Sequence, residues 1–404
     1  MVKRKILLKK NTDTFSFSLL VFRSFSMPII IVWCILTLFG ILSIYSVSIH
    51  ESFTLTLSLI ANGTMHGDPS NYFYFFRQLR NIGFAVIMAG ITYSIPMRFF
   101  QNNKNTTIIA ILLMILQISV FIPGIGIVLN GARWWINIPF LPSIQPAEFF
   151  KLWYVLFLWW RLMRKRDRVN TKDFFISFMI LNALLFFVFL LIPDLGTVMI
   201  LGIVGLIMCR YAGAKIKYVL WIMFWGIAAW LVVGSVAGMV SDRFAYIQKR
   251  FTYFVSSSVD PQARQIWRQN QQALLAIGGW WLLGKWYGKG LQKFWFIPEA
   301  QSDFVFSAFS EEIGFVGNMF LLALYLYIAY YFLTRVRNIK DEHGKMIGIG
   351  ILSLILIQAF VNIWVNIKIL PNTWLTLPFI SYGGTALMVN FMEIVLLYKI
   401  LKRK

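Results

Sequence analysis

The sequence predicts an all-α, polytopic integral membrane protein with ten transmembrane helices and a large extracytoplasmic loop between helices seven and eight. Three observations carry that prediction. Hydrophobic residues make up 59% of the 404-residue chain against 13% charged, and the mean hydropathy is +0.70. Apolar runs of about 20 residues, long enough to carry a helix across a bilayer core, recur from end to end. Basic residues gather in short clusters at alternate ends of those runs, as cytoplasmic loops do. The same clustering assigns the net charge of +22 to orientation rather than to a nucleic-acid groove. No linker rich in Pro, Ser or Gly divides the chain, so residues 1–404 read as one membrane domain.

Lys3, Arg4, Lys5, Lys9, Lys10 and Arg23 precede the first apolar run without a small-residue cleavage site, which places the N-terminus in the cytoplasm. Span one covers about 28–49 and is followed by a polar outer loop to Tyr74. Span two runs over 79–94 and span three over 106–128. Cys34 and Cys209 fall within apolar runs and read as buried thiols. His50, His66 and His343 lie far apart with no ligand spacing.

The next outer loop contains Asn130-Gly131-Ala132-Arg133-Trp134-Trp135-Ile136 and then Ile144-Gln145-Pro146-Ala147-Glu148-Phe149-Phe150-Lys151. Pro146 suits a first helical turn, where its missing N–H has no partner to lose. Glu148 and Lys151 then share one face at the outer end of span four. Two readings stay open, an ion pair that fixes helix register and a pair that faces a polar cavity, since charge entering a membrane helix is costly otherwise. Arg161, Arg164, Lys165, Arg166 and Arg168 mark the cytoplasmic end. Span five (174–192) stops at Pro193-Asp194-Leu195-Gly196-Thr197, where Asp194 reads as a cap on span six. Span seven, 218–240, leads outward.

Residues 241–312 form the one long hydrophilic segment and lie outside by parity. They carry eight basic residues and six acids, among them Arg243, Arg250, Lys293, Glu299 and Asp303. Spans eight (313–333), nine (346–363) and ten (384–401) follow, which puts both termini in the cytoplasm. Between the last two, Pro371 and Pro378 interrupt an apolar run, and a broken or re-entrant segment is expected there, with its freed backbone groups turned to protein. Ser381, Gly383 and Gly384 end it. No nucleotide-type phosphate loop occurs.

Taken together, Gln145-Pro146-Ala147-Glu148-Phe149 through Lys151, Pro193 to Thr197, Pro298-Glu299-Ala300-Gln301-Ser302-Asp303-Phe304, Glu311-Glu312-Ile313-Gly314 and Pro378-Phe379-Ile380-Ser381-Tyr382-Gly383-Gly384 resemble the ordered motifs of the SEDS family of FtsW, RodA and SpoVE. Gln292-Lys293 and Glu299-Ala300 lean toward the FtsW branch. The chain departs from the family at Trp280, Trp281, Trp286, Lys368 and Trp374, all at or beside positions where glycine is usual.

The resemblance implies a peptidoglycan glycosyltransferase of the bacterial cytoplasmic membrane that polymerises lipid II at the outer face, in cell division or elongation. It implies Asp303 as the essential acid. It also implies divisome or elongasome proteins and a class B penicillin-binding protein as partners, for which spans eight and nine would offer Tyr325, Tyr327 and Gln358. A sugar hydroxyl is a poor nucleophile near neutral pH, so a carboxylate such as Asp303 suits a general base. A leaving pyrophosphate needs positive charge. Arg133, Lys151, Arg243, Arg250 and Lys293 are candidates, with Glu148, Glu299 and Ser381 as further substrate contacts and a divalent cation, Mg or Mn, as a candidate cofactor. A lipid II flippase working through Glu148, Lys151 and Asp194, or a scaffold for a transpeptidase, are the alternatives.

Overall fold

In a computed structural model the chain is described over residues 27–402, apart from 123, 130–131, 137–141, 193, 241–260, 280–281, 295–296 and 298–299. The helices are α1 (Met27–Val47), α2 (Ile49–Ala61), α3 (Phe73–Ser94), α4 (Met97–Phe100), α5 (Asn103–Ser119), α6 (Pro146–Arg164), α7 (Lys172–Leu191), α8 (Leu195–Tyr211), α9 (Ile216–Val240), α10 (Pro261–Gly278), α11 (Val305–Val336), α12 (Glu342–Asn366) and α13 (Gly384–Lys402). Among the described residues α1, α11, α12, α13 and most of α7 are long and apolar enough to cross a membrane. Helix α12 is the hub, touching α6, α8, α11 and α13.

Two connecting segments differ from expectation. Residues 49–61, read as loop, form α2, in which the hydroxyls find acceptors in the helix's own carbonyls: Thr54 at His50 O, Thr56 at Ser52 O and Ser58 at Leu55 O. Span three ends at Ser119 rather than 128. The chain then makes an antiparallel hairpin of β1 (Gly126–Leu129) and β2 (Ala132–Ile136), and Ile136 bridges on to Ile144. Asn130-Gly131, a strong two-residue hairpin signal, separates the strands in sequence. Cys34, expected to be buried, sits on the exposed outer surface of α1, whereas Cys209 is buried, and both are free thiols.

Helix α11 begins at Val305, inside what was read as loop, and is broken at Gly314 (φ 65, ψ −166). The loop over residues 282–294 runs into that break. Lys285 N donates to Glu311 O, Trp286 N to Glu312 O, and Val316 N to Leu282 O. A Cβ on Gly314 would lie 2.2 Å from Gly284 N, so the two backbones can meet this closely only as glycine on glycine.

Residues 367–383 are not helical, yet most are withdrawn from the surface, as expected of a re-entrant segment. Lys368, Trp374 and Phe379 hold positive φ of 58°, 54° and 69°, a strained state for bulky residues. The segment rests on α1 at Gly40, where an added Cβ would come within 2.4 Å of Phe379 O. Gly40→Ala is therefore expected to cost about 1–3 kcal/mol by overpacking. Gly90→Ala, with nothing within 4 Å of its Cβ, is the control. Melting of the two variants in detergent checks this, and equal melting temperatures would mean that Phe379 does not lie on Gly40.

Candidate functional site

The site is built on one face of α12. Gln358, Asn362 and Asn366 recur at intervals of four, so they stack along the helix about 6 Å apart, and all three are buried. At Gln358 the ladder meets α6. Lys151 Nζ donates to Glu148 Oε1 at 2.8 Å and to Gln358 Oε1 at 2.7 Å, with Lys151 1% and Glu148 5% exposed. The pair thus faces the bundle interior, and Pro146 opens its helix as the sequence indicated. Gln358 Nε2 turns the other way, to Thr376 O at 3.1 Å.

One turn further on, Asn362 Nδ2 donates to Asp303 O (3.0 Å) and Leu375 O (2.7 Å). Asn366 Nδ2 also reaches Asp303 O (2.9 Å), and its Oδ1 accepts from Ser307 N (3.1 Å). The main chain of Asp303 is thereby fixed just ahead of α11, and the residue is 8% exposed. Ser381 Oγ donates to Ser302 O (2.6 Å) and accepts from Leu377 N (2.8 Å), while Tyr382 N donates to Gln301 O. Tyr325 OH donates to Pro378 O. One face of α12 therefore holds the Glu148–Lys151 pair through Gln358 and the Asp303 main chain through Asn362 and Asn366, while Ser381 ties the residue before Asp303 to the re-entrant segment.

Lys293 lies in a second cluster, at the break in α11. Its three protons go to Glu312 Oε1 (2.6 Å), Ser46 Oγ (2.8 Å) and Gly288 O (3.1 Å), and it is buried. Its ammonium braces the 282–294 loop against α1 and α11. Glu312 also accepts from Gly288 N, and Glu311 from Lys285 Nζ (2.7 Å) and Gln292 N. Tyr287 OH donates to Leu42 O, and burial, with the Glu312 carboxylate beside it, pushes its phenol up to about 12.

Asp194 caps α8 by accepting from Thr197 N at 3.0 Å. Burial pushes its carboxyl above the ordinary range against that hydrogen bond, and the charges of Lys151 and Glu148 reach it. Arg133 belongs to β2. Arg243, Arg250, Glu299, Trp280 and Trp281 lie outside the described residues. Tyr325 and Gln358 are buried and cannot meet a partner, which leaves exposed Tyr327 from that expectation. Sequence reading missed Glu393, a buried carboxylate of α13 within electrostatic reach of Lys151 and Glu148. It also missed the Asn362 and Asn366 rungs, which a four-residue polar repeat in an apolar run could have revealed.

A bundle of apolar helices that encloses charge and folds a non-helical segment back into itself is a multi-pass membrane protein. The family model described as "Cell cycle protein", covering FtsW, RodA and SpoVE, matches residues 26–404, and the chain belongs to that family. It is 32% identical to "Stage V sporulation protein E" of Bacillus subtilis over 80% of this chain and 86% of that one. It is 30% identical to "Probable peptidoglycan glycosyltransferase FtsW" of Geobacter metallireducens over 94% and 95% of the respective lengths. The fold matches a chain in the structure reported as "Structural coordination of polymerization and crosslinking by a peptidoglycan synthase complex" (TM-score 0.70, 20% identity, 94% and 98% covered). It also matches the Thermus thermophilus rod shape determining protein RodA (TM-score 0.63, 20% identity, 93% and 97% covered).

Breaking a buried ion pair strands the surviving charge, at about 3–5 kcal/mol, whereas removing both partners costs less. Lys151→Met and Glu148→Gln are each expected to lose more stability and more activity than the double variant. Melting and activity of the three proteins test the coupling, and strictly additive losses would reject it.

Proposed function

We infer that this protein is a peptidoglycan glycosyltransferase that polymerises lipid II into glycan strands at the outer face of the bacterial cytoplasmic membrane. The observation that supports the reading is that Asp303, the only Asp in its family motif, is held by its own main chain on the α12 face whose Gln358 receives Lys151 of the Glu148–Lys151 pair. Relatives named as probable peptidoglycan glycosyltransferases support it. The Asp303 carboxylate takes the proton of the acceptor sugar's 4-hydroxyl as that oxygen attacks the anomeric carbon of the donor. The bond from that carbon to the lipid-linked pyrophosphate breaks, and the leaving group carries away the electron pair. One base and charge stabilisation suffice for such an inverting displacement, unlike hydrolysis with two carboxylates.

Arg133, Arg243 and Arg250 are the cations proposed for the pyrophosphate, with Lys151 bonded to Glu148 and Gln358 and Lys293 holding the loop. Among the described residues no three of His, Cys, Asp and Glu converge to hold a metal ion, and each step above uses the chain's own groups. The family reading also brings a transpeptidase and the cell-wall machinery as partners, and the structural match with a chain of a synthase complex supports that.

For topology, ten spans follow if α3, α5, α6, α8 and α9 cross together with the five long apolar helices. Helix α6 falls outside a purely apolar criterion because it carries Glu148, Lys151, Arg161 and Arg164, and Glu148 and Lys151 are paired inside the bundle. Both termini would then be cytoplasmic and 241–312 outside, with the first stretch of α11, up to its break at Gly314, on that side. Arg166→Cys and Ser257→Cys, made separately in a cysteine-free background, test this with an impermeant thiol reagent on intact cells. Modification at 257 and not at 166 is expected, and the reverse would overturn the topology.

Loss of a general base costs about a hundredfold to ten-thousandfold in rate. Asp303→Asn is expected to fold, melt near the parent temperature and bind lipid II while making almost no glycan in a purified assay. A flippase would keep moving lipid II across vesicles in that variant and make no glycan in either form. Near-parental polymerisation by Asp303→Asn would remove Asp303 from the reaction.

A further inference from the structure

The 282–294 loop carries an unusual combination. Its backbone is fixed to the break in α11 and its Lys285 and Lys293 ammoniums are taken by Glu311 and Glu312, yet Leu282, Leu283, Trp286 and Leu291 all point outward and are exposed. Trp286 is 70% exposed and holds φ 75°, a left-handed backbone that suits glycine and strains a bulky side chain. In water this residue would bear both penalties, strain and apolar exposure. An observed outlier of this kind points to a role elsewhere for the side chain it presents.

The depth of the loop says what covers it. Leu282 O accepts from Val316 N, just past the break in α11, where Phe315, Val316, Met319 and Phe320 are all exposed on an apolar helix long enough to cross a membrane. On its other flank Tyr287 OH donates to Leu42 O, within the last two turns of α1, next to exposed Leu38 and Leu42. The outward apolar side chains therefore continue the lipid-facing surface of two spans at their outer ends. Lys289, exposed among them, stands where a lysine stem lies on apolar surface and its ammonium reaches phosphate.

We propose that residues 282–291 form an outer-leaflet anchor, which sets Leu282, Leu283, Trp286 and Leu291 into the boundary between headgroups and acyl chains with Lys289 at the lipid phosphates. Tryptophan is favoured at that depth because its ring is apolar and its N–H is polar. Through the Lys293–Glu312 and Lys285–Glu311 pairs the anchor fixes the break in α11 relative to the membrane surface, and with it the short helical stretch that begins after Asp303. The proposal depends on the membrane reading and not on the chemistry assigned to Asp303.

The test uses the full chain with Cys34→Ala and Cys209→Ala in nanodiscs of phosphatidylcholine and phosphatidylglycerol. Leu283→Cys, or Asp68→Cys in the exposed 62–72 turn as reference, carries an environment-sensitive fluorophore. A spin label attached high on the lipid acyl chain is expected to quench the probe at 283 severalfold more than at 68, and aqueous iodide severalfold less. Iodide quenching at 283 equal to that at 68 would overturn the anchor. So would shielding at 283 that arises only when a soluble transpeptidase domain is added, which would make the patch a protein interface. Trp286→Gly, which relieves the backbone strain and keeps the fold, is expected to raise iodide quenching at 283, and unchanged quenching would overturn the role given to Trp286.

Discussion

Unpaired backbone in a hydrocarbon surrounding costs several kcal/mol for each polar group, and residues 367–383 bring an entire non-helical stretch into the bundle. Every other feature of the site depends on how that cost is met. Side-chain amides of α12 meet it: Gln358 takes Thr376 O, Asn362 takes Leu375 O, and Tyr325 of α11 takes Pro378 O. The same amides have a second side. Gln358 accepts from Lys151, and Asn362 and Asn366 take Asp303 O. One helix face therefore solves the burial problem of the re-entrant segment and, with the groups left over, positions the charged pair and the candidate base. Replacing such a residue by an apolar one would remove a partner from a buried polar group on each side at once, which explains why amides and not leucines stand at these positions of an otherwise apolar helix.

The break at Gly314 follows the same logic with charge. Glu311 and Glu312 lie buried where α11 changes direction, and a buried carboxylate is tolerable only when its oxygens are filled. Glu312 receives Lys293, Ser46 and Gly288 N, and Glu311 receives Lys285 and Gln292 N. Once those partners all come from one loop and one helix, the loop has no freedom to be anywhere else. A fully satisfied polar network of this kind rigidifies its surroundings, since no member can move without stranding another.

Much of this was legible in the sequence because membrane burial makes polar residues conspicuous. Pro146 as a helix start, Asp194 as a cap, Glu148 with Lys151 on one face, and an irregular backbone around Pro371 and Pro378 each follow from a local rule and were found where the rule put them. The hairpin at 126–136 was not legible although Asn130-Gly131 signals a turn, because Gly126 to Leu129 is as apolar as the helix before it. The partners of Lys293 were not legible because sequence shows a charge and not what meets it; Glu312 lies 19 residues away and Ser46 247. Glu393 was passed over as a single acid in a long apolar stretch, and only the packing of α13 on α6 brings it near Lys151.

A single base can serve a displacement at carbon only if it is held where the hydroxyl will be, because misplacement by an ångström costs much of the advantage of proximity. Asp303 has the required support on each side. Before it, Ser302 O is bonded to Ser381 and Gln301 O to Tyr382 N, which tie it to the re-entrant segment; at it, the carbonyl receives two amides of α12; after it, Ser307 N is bonded to Asn366. Those three ties come from elements that are themselves fixed by burial, so the position of the residue is set by the packed bundle and not by the loop that carries it. The loop is then held from within, and its outer surface, with Trp286 exposed, is not needed to position Asp303.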